Sequence, residues 1–157
     1  MKKIIFPLAI ILLSNTIYGQ KQKITFEDAE GIMAAQPYGY SQVVTTPLNG
    51  KMIILSGQTA WDSAGVIIGE GDFKAQLEYC LKIIDKILVS KGAKRDNIVK
   101  LNYYVKDLDQ QKMYVITEVA QKFFIKNKYP AGCLLGVTQL ADSRFLVEVE
   151  ATAIVTN

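Results

Sequence analysis

The stretch from Tyr129 to Val155 reads YPAGCLLGVTQLADSRFLVEVEATAIV. Its two ends, over 132–137 and 145–155, are apolar and strand-like, and a polar turn joins them. In the second segment Val147, Val149, Ala151 and Ala153 alternate with Glu148, Glu150 and Thr152. Alternation of period two puts the first set on one face of a strand and the second on the other. The apolar set suits a dry interior. The acidic set does not, because burying an unpaired carboxylate is expensive.

Pro130 stops any helix arriving from upstream, since it has no N–H to donate and clashes with the preceding turn. That helix is predicted to start at Asp107 or Asp109. It carries an apolar stripe of Met113, Ile116, Ala120 and Phe123 or Phe124, and it fades at Lys126-Asn127-Lys128, where cations suit the C-terminal end of the dipole. Asn97 to Val105 alternates as a half-exposed strand, with Val99, Leu101, Tyr103 and Val105 on one face. Before it, Phe73, Leu77, Cys80, Leu81, Ile84, Ile87 and Leu88 share one face of a helix capped by Asp72 and stopped at Gly92.

Thr59 to Gly71 reads as a polar loop carrying Trp61. Asn49-Gly50 is a hairpin signal, which predicts that Ser41–Thr46 pairs with Met52–Ser56. Lys21 to Phe26 alternates weakly, as a first short strand would. The order β-β-β-α-β-α-β-β predicts an α+β, two-layer fold, a six-stranded mixed sheet with both helices on one face. The opposite face, carrying Glu148, Glu150 and Thr152, then needs its own cover, and self-association would supply it.

Met1 to Gly19 stands apart. Lys2 and Lys3 precede the apolar run Ile4–Leu13, and Thr16-Ile17-Tyr18-Gly19 ends on a small residue, the pattern of a cleavable export signal. The run is shorter than the roughly 20 apolar residues of a membrane span, and no cysteine follows it to take a lipid. The expectation is a signal over 1–19, one domain over 20–157, a periplasmic or secreted location and no stable membrane anchor. Loss of Lys2 and Lys3 takes the net charge from +3 to +1 (18 − 2 basic residues against 15 acidic). With no basic stripe interleaved with aromatics, no nucleic-acid partner is expected.

The chain has no histidine and two cysteines. Histidine general bases, Ser-His-Asp triads and His-ligated metals are thereby excluded, two cysteines alone make no structural zinc site, and neither metal nor cofactor is expected. Cys80 lies on the apolar face of the first helix, and Cys133 is expected on the strand face beneath the helices. Export would let the two form a bridge; the alternative is two buried free thiols.

The succession IILSGQ, a GxGD loop opening an amphipathic helix, NIVKLNYYVKDL, a second helix ending in FF, YPAG and VEVEATAIV resembles the Rid/YjgF family of reactive-intermediate deaminases. The resemblance runs from about Pro37 to Val155 and rests on the order of the motifs rather than on any one. It implies a chorismate-mutase-like fold and a homotrimer with small-molecule clefts between subunits. It also implies hydrolysis of amino-acid-derived enamines and imines to ammonia and 2-keto acids. Glu148 matches the family glutamate that holds or activates water, Tyr40 a tyrosine lining the cleft, and Ser56-Gly57 its Ser-Gly pair. The family's Pro-Ala-Arg is Pro130-Ala131-Gly132 here, so the arginine that grips the substrate carboxylate is missing. Leu134 takes the place of a frequent family cysteine, and Cys133 is one position off. Only Arg95 and Arg144 remain as guanidinium sources, neither close to Gly132 in the chain.

The resulting expectation is metabolite binding in an intersubunit cleft by Tyr40, Ser56, Gly57, Gly132 and Cys133, with Glu148 the candidate catalytic group. The alternatives are a deaminase acting on 2-iminobutanoate or 2-iminopropanoate, and a non-catalytic interaction or regulatory protein.

Overall fold

The computed structural model describes residues 23–47 and 49–156. The expected signal over 1–19 and the start of the first expected strand lie outside them. The elements run β1 (Thr25–Glu27), a 3-10 turn (Gln36–Tyr38), β2 (Val43–Thr45), β3 (Lys51–Gln58), α1 (Phe73–Ser90), a 3-10 turn (Arg95–Asn97), β4 (Ile98–Lys106), α2 (Gln110–Phe123), β5 (Leu134–Val137) and β6 (Val147–Val155).

Both helices start where their caps dictate. The Asp72 carboxylate accepts from Ala75 N at 3.0 Å, and that of Asp109 from Lys112 N at 2.7 Å. Each satisfies a donor that the first helical turn leaves without a partner. Gly92 takes a φ of 71° just beyond α1, and Pro130 follows α2 as expected.

The main sheet has the order β3-β6-β4-β5. β6 is antiparallel to both neighbours, and β5 runs parallel to β4, as a crossover through α2 requires. Leu77, Leu81, Ile84 and Leu88 of α1 and Ile116, Val119 and Ala120 of α2 meet Val147, Val149, Ala151 and Ala153 of β6 in one core. Both helices therefore cover the same face, and Glu148, Glu150 and Thr152 occupy the other.

The six strands do not form one sheet. β1 and β2 make a separate antiparallel pair, Phe26 opposite Val44. The expected hairpin between Ser41–Thr46 and Met52–Ser56 is thus absent, because β3 pairs with β6 instead, Met52 opposite Ile154. Gly50 has a different use. Its φ is 137°, and a Cβ there would lie 2.2 Å from Val155 O. The glycine lets the chain pass the end of β6, which accounts for Asn-Gly without a two-strand hairpin.

The cysteines are both free. Cys80 is buried, donates to Val147 O at 3.9 Å, and burial pushes its thiol up to about 12. Cys133 is exposed, contrary to its expected place beneath the helices, because the chain ahead of β5 leaves regular pairing at Gly132.

Candidate functional site

The irregularity at Gly132 begins with hydrogen bonds. Ala131 N donates to Val99 O (3.1 Å), Leu101 N to Ala131 O (2.8 Å) and Tyr103 N to Cys133 O (2.8 Å). In a regular parallel ladder Cys133 N would donate to β4 backbone. It donates instead to Asn102 Oδ1 at 2.9 Å. The Leu101 carbonyl is left facing Gly132, where a Cβ would stand 1.7 Å from its oxygen and 2.7 Å from its carbon. No side chain fits at 132 unless backbone moves.

Asn102 is buried, and its amide also donates to Glu150 Oε1 at 2.6 Å. Tyr104 donates to the same oxygen at 3.2 Å. Burial first, and the Glu150 charge second, push the Tyr104 phenol upward. The carboxylate wired to the Gly132–Cys133 backbone is therefore Glu150. Sequence reasoning placed Glu150 on the right face but gave Asn102 and Tyr104 no part. The available signal was an asparagine opposite a glutamate, the one uncharged amide in a strand of apolar, aromatic and lysine residues.

Tyr40 reaches this edge through a clip that the sequence did not announce. Buried Ser41 donates from Oγ to Tyr129 O at 2.5 Å and from its backbone N to Pro130 O at 3.1 Å, and its Oγ accepts from Gln36 Nε2 at 2.9 Å. Gln121 Nε2 donates to Pro37 O at 2.9 Å from α2. Gly39 turns there with a φ of 82°, where a Cβ would be 3.2 Å from Ala120 Cβ. Residues 36–41 are thus fastened both to α2 and to the approach to β5.

Two cavities meet at Tyr40, Gly132 and Cys133. One, of about 660 Å³, lies between β2 and the β4–β5 edge and includes Ser41, Val43 and Lys100 in its wall. Lys100 is its only charged lining residue, is exposed, and forms no ion pair among the described residues. The other, of about 570 Å³, lies under α2 and has no charged residue in its wall.

Ser56, Gly57 and Glu148 form a separate group. Glu148 lies across Gly57, where a Cβ would be 1.8 Å from Glu148 Oε1. A side chain at 57 would have to displace the Glu148 carboxylate from this place, and Ser56 beside it is exposed. The Glu148 carboxylate has no hydrogen-bond partner among the described residues. Glu148 pairs with Tyr104, whereas Leu101, beside Gly132, pairs with Ala151. The two groups are therefore roughly 10 Å apart along the strands and a similar distance across them, and neither cavity includes both.

Neither arginine reaches Gly132. Arg95 pairs with Asp85 at 2.8 Å and lies 4.5 Å from the Phe123 ring centre. Arg144 pairs with Asp142 at 2.8 Å and holds that carboxyl down at about 2. Among the described residues no three acidic, cysteine or histidine side chains gather as a metal would need.

Residues 31–155 match the family model described as Endoribonuclease L-PSP. A RutC family protein of Pyrococcus abyssi is 35% identical over 122 residues, 76% of this chain and 90% of its own. A solved Rid-family protein of Yersinia pestis, YyfB, superimposes with a TM-score of 0.79 at 27% identity, covering 86% of this chain and 99% of its own. E. coli TdcF, solved with bound serine, superimposes at a TM-score of 0.59 and 25% identity, over 83% of this chain and 94% of its own. The chain matches its family over nearly all of the described residues, with the same two-helix α+β architecture, and it belongs to the Rid/YjgF family.

Proposed function

We propose that this protein is exported and assembles as a homotrimer whose intersubunit clefts bind a small carboxylate metabolite. The carrying observation is the pairing of Gly132 with Lys100. Backbone geometry excludes any side chain at 132, so the guanidinium that the family uses for a carboxylate has no place there. The cavity beside it has a single cation, Lys100. An ammonium is a point charge on a flexible stem, so it attracts a carboxylate without the two-point planar grip of arginine. Serine bound to TdcF supports a ligand of amino-acid size and charge. Separation of the Tyr40–Gly132 group from the Ser56–Gly57–Glu148 group within one chain supports a cleft completed by a neighbouring subunit. The export-like segment over 1–19 is the basis for the periplasmic or secreted location.

Imine deamination is a second reading, favoured by Glu148. Its carboxylate lies over Gly57 without a protein partner among the described residues, which leaves its oxygens open to accept from a water. Here the loss of the family arginine would raise KM and lower the rate rather than remove the water-binding group.

The test is calorimetric titration of the mature protein with serine, pyruvate and 2-oxobutanoate, beside an assay of 2-iminopropanoate hydrolysis. Binding that weakens about tenfold or more in Lys100→Ala supports the cleft. No binding of any of the three by the native protein overturns it. Hydrolysis that is lost in Glu148→Gln while binding persists establishes the deaminase reading. Absence of hydrolysis in the native protein removes that reading and leaves binding.

A further inference from the structure

The wall around Lys100 is largely aliphatic. Ala29, Ile32, Val43, Val44 and Val99 line it, and of these Ile32 and Val43 are exposed. Val99 is buried but is not part of the core that the helices cover. The reason is a break in the ladder. Ile98 lies opposite Ala153 and Lys100 opposite Thr152, so two steps along β4 answer one along β6. In an unbroken strand consecutive residues point to opposite faces. This bulge re-aims them, and Val99 and Lys100 both face the same cavity. Ile32 arrives from a fastened loop. The Asp28 carboxylate accepts from Ala35 N at 3.0 Å, and the Gln42 side chain accepts from Ala29 N at 2.7 Å and donates to Met33 O at 2.6 Å. Most polar groups of the wall are thereby engaged: Gln42 in those bonds, Ser41 in its clip, and Thr46 in donating to Pro47 O at 3.2 Å. What remains is Lys100, the Tyr40 phenol and the weakly bonding Cys133 thiol. An α-ammonium group would find no acidic side chain there and would meet a like charge.

We propose that the ligand of this cleft is an aliphatic monocarboxylate without an amino group, its carboxylate at Lys100 and a tail of several carbons along Ile32, Val43, Val44 and Val99. The inference rests on the carboxylate reading above and narrows it to a chemical class. A three-carbon ligand would leave most of the roughly 660 Å³ as water against aliphatic walls. A longer tail displaces that water, and each methylene it buries strengthens binding.

The experiment titrates the native mature protein calorimetrically with acetate, butyrate, hexanoate and pyruvate, and with hexan-1-ol as a tail without a charge. A fully buried methylene corresponds to about fourfold in affinity; Ile32 stays open to solvent, so about twofold per methylene is expected, or roughly fifteenfold from acetate to hexanoate. The heat-capacity change of binding is expected to grow more negative along the series. Ile32→Ser, or Val43→Ser should the first disturb the loop, is expected to flatten the rise with tail length. Lys100→Ala is expected to weaken every carboxylate by a similar factor and keep that rise. Equal affinity for acetate and hexanoate while pyruvate binds would overturn the inference and leave the carboxylate reading standing. An unchanged rise in both serine variants, or hexan-1-ol bound as tightly as hexanoate, would overturn it as well. No binding of any carboxylate, pyruvate included, would remove the carboxylate reading and the inference with it.

Discussion

A methyl group on Gly132 would meet the Leu101 carbonyl at 1.7 Å, so Gly132→Ala has to push the approach to β5 away from β4. Overpacking against backbone typically costs 1–3 kcal/mol and sometimes more, and about 2 kcal/mol or more is expected here from denaturant midpoints. Gly132→Arg should be no milder, so restoring the family's residue would not restore its site. Sequence alone exposed the missing arginine, because the flanking Pro130 and Ala131 match the family. It did not expose the reason, which lies in a carbonyl some thirty residues upstream and in Asn102 capturing Cys133 N. A second residue-scale expectation concerns acid. Arg144 holds the Asp142 carboxyl below its ordinary range, at about 2, so their mutual stabilisation is full above the unfolded carboxylate value of about 4 and fades as pH falls through about 2. Asp142→Asn should flatten this part of the acid-unfolding profile. The effect should be small because the pair is exposed to solvent.

Among the elements, α1 is locally determined. Asp72 caps it, one apolar stripe faces the sheet, and each is visible in a short window of sequence. One of its residues breaks the stripe to a purpose. Gln76 is wholly buried, donates to Arg144 O at 3.0 Å and accepts from Leu146 N at 2.8 Å. It thereby fixes the chain entering β6 and, through it, the register of Glu148 and Glu150. Gln76→Leu keeps the volume but strands both backbone groups, for an expected loss of about 2–4 kcal/mol; thermal and denaturant unfolding would measure it. β2 shows the opposite case. Three residues, Val43–Thr45, carry little information about their partner, and the Asn-Gly signal is local whereas the pairing of β3 with β6 joins residues about a hundred apart. Local turn chemistry predicted a hairpin, and the long-range ladder prevailed.

At the scale of the whole molecule, the sheet face away from the helices bears apolar as well as acidic groups. Met52 is 59% and Ile54 75% exposed, next to half-buried Glu148, Glu150 and Thr152. Apolar side chains grouped on one side of a sheet point to a partner surface, and the proposed partner is a second and third copy. Sedimentation of the mature protein is expected to give a trimer, and Ile54→Lys to shift it toward monomer with the far-ultraviolet spectrum unchanged; a native monomer at micromolar concentration would remove the trimer. That this face is unsuited to a dry core was legible from Glu148, Glu150 and Thr152 alternating with small apolar residues. How the Tyr40 edge faces the Glu148 edge was not, since strand order and the detachment of β1 and β2 are set by the assembled sheet.

The bond from Ser41 to Tyr129 joins residues 88 apart in the chain. Closing so long a span is entropically unfavourable until β4 and β5 lie side by side, which makes the clip a late event in folding. Late structure is commonly the first to open, and segments with few buried apolar groups exchange their amides without global unfolding. Met33 and Tyr38 are both exposed, and only the small Ala35, Gly39 and Ser41 of residues 33–41 are buried, so the segment rests chiefly on a handful of hydrogen bonds. The Ser41 amide should therefore exchange with deuterium far sooner than that of Leu101, at a rate set by lifting of this flap alone. Tyr38, Gly39 and Tyr40 line the chamber under α2, so its width depends on the latch as well as on the helix and sheet.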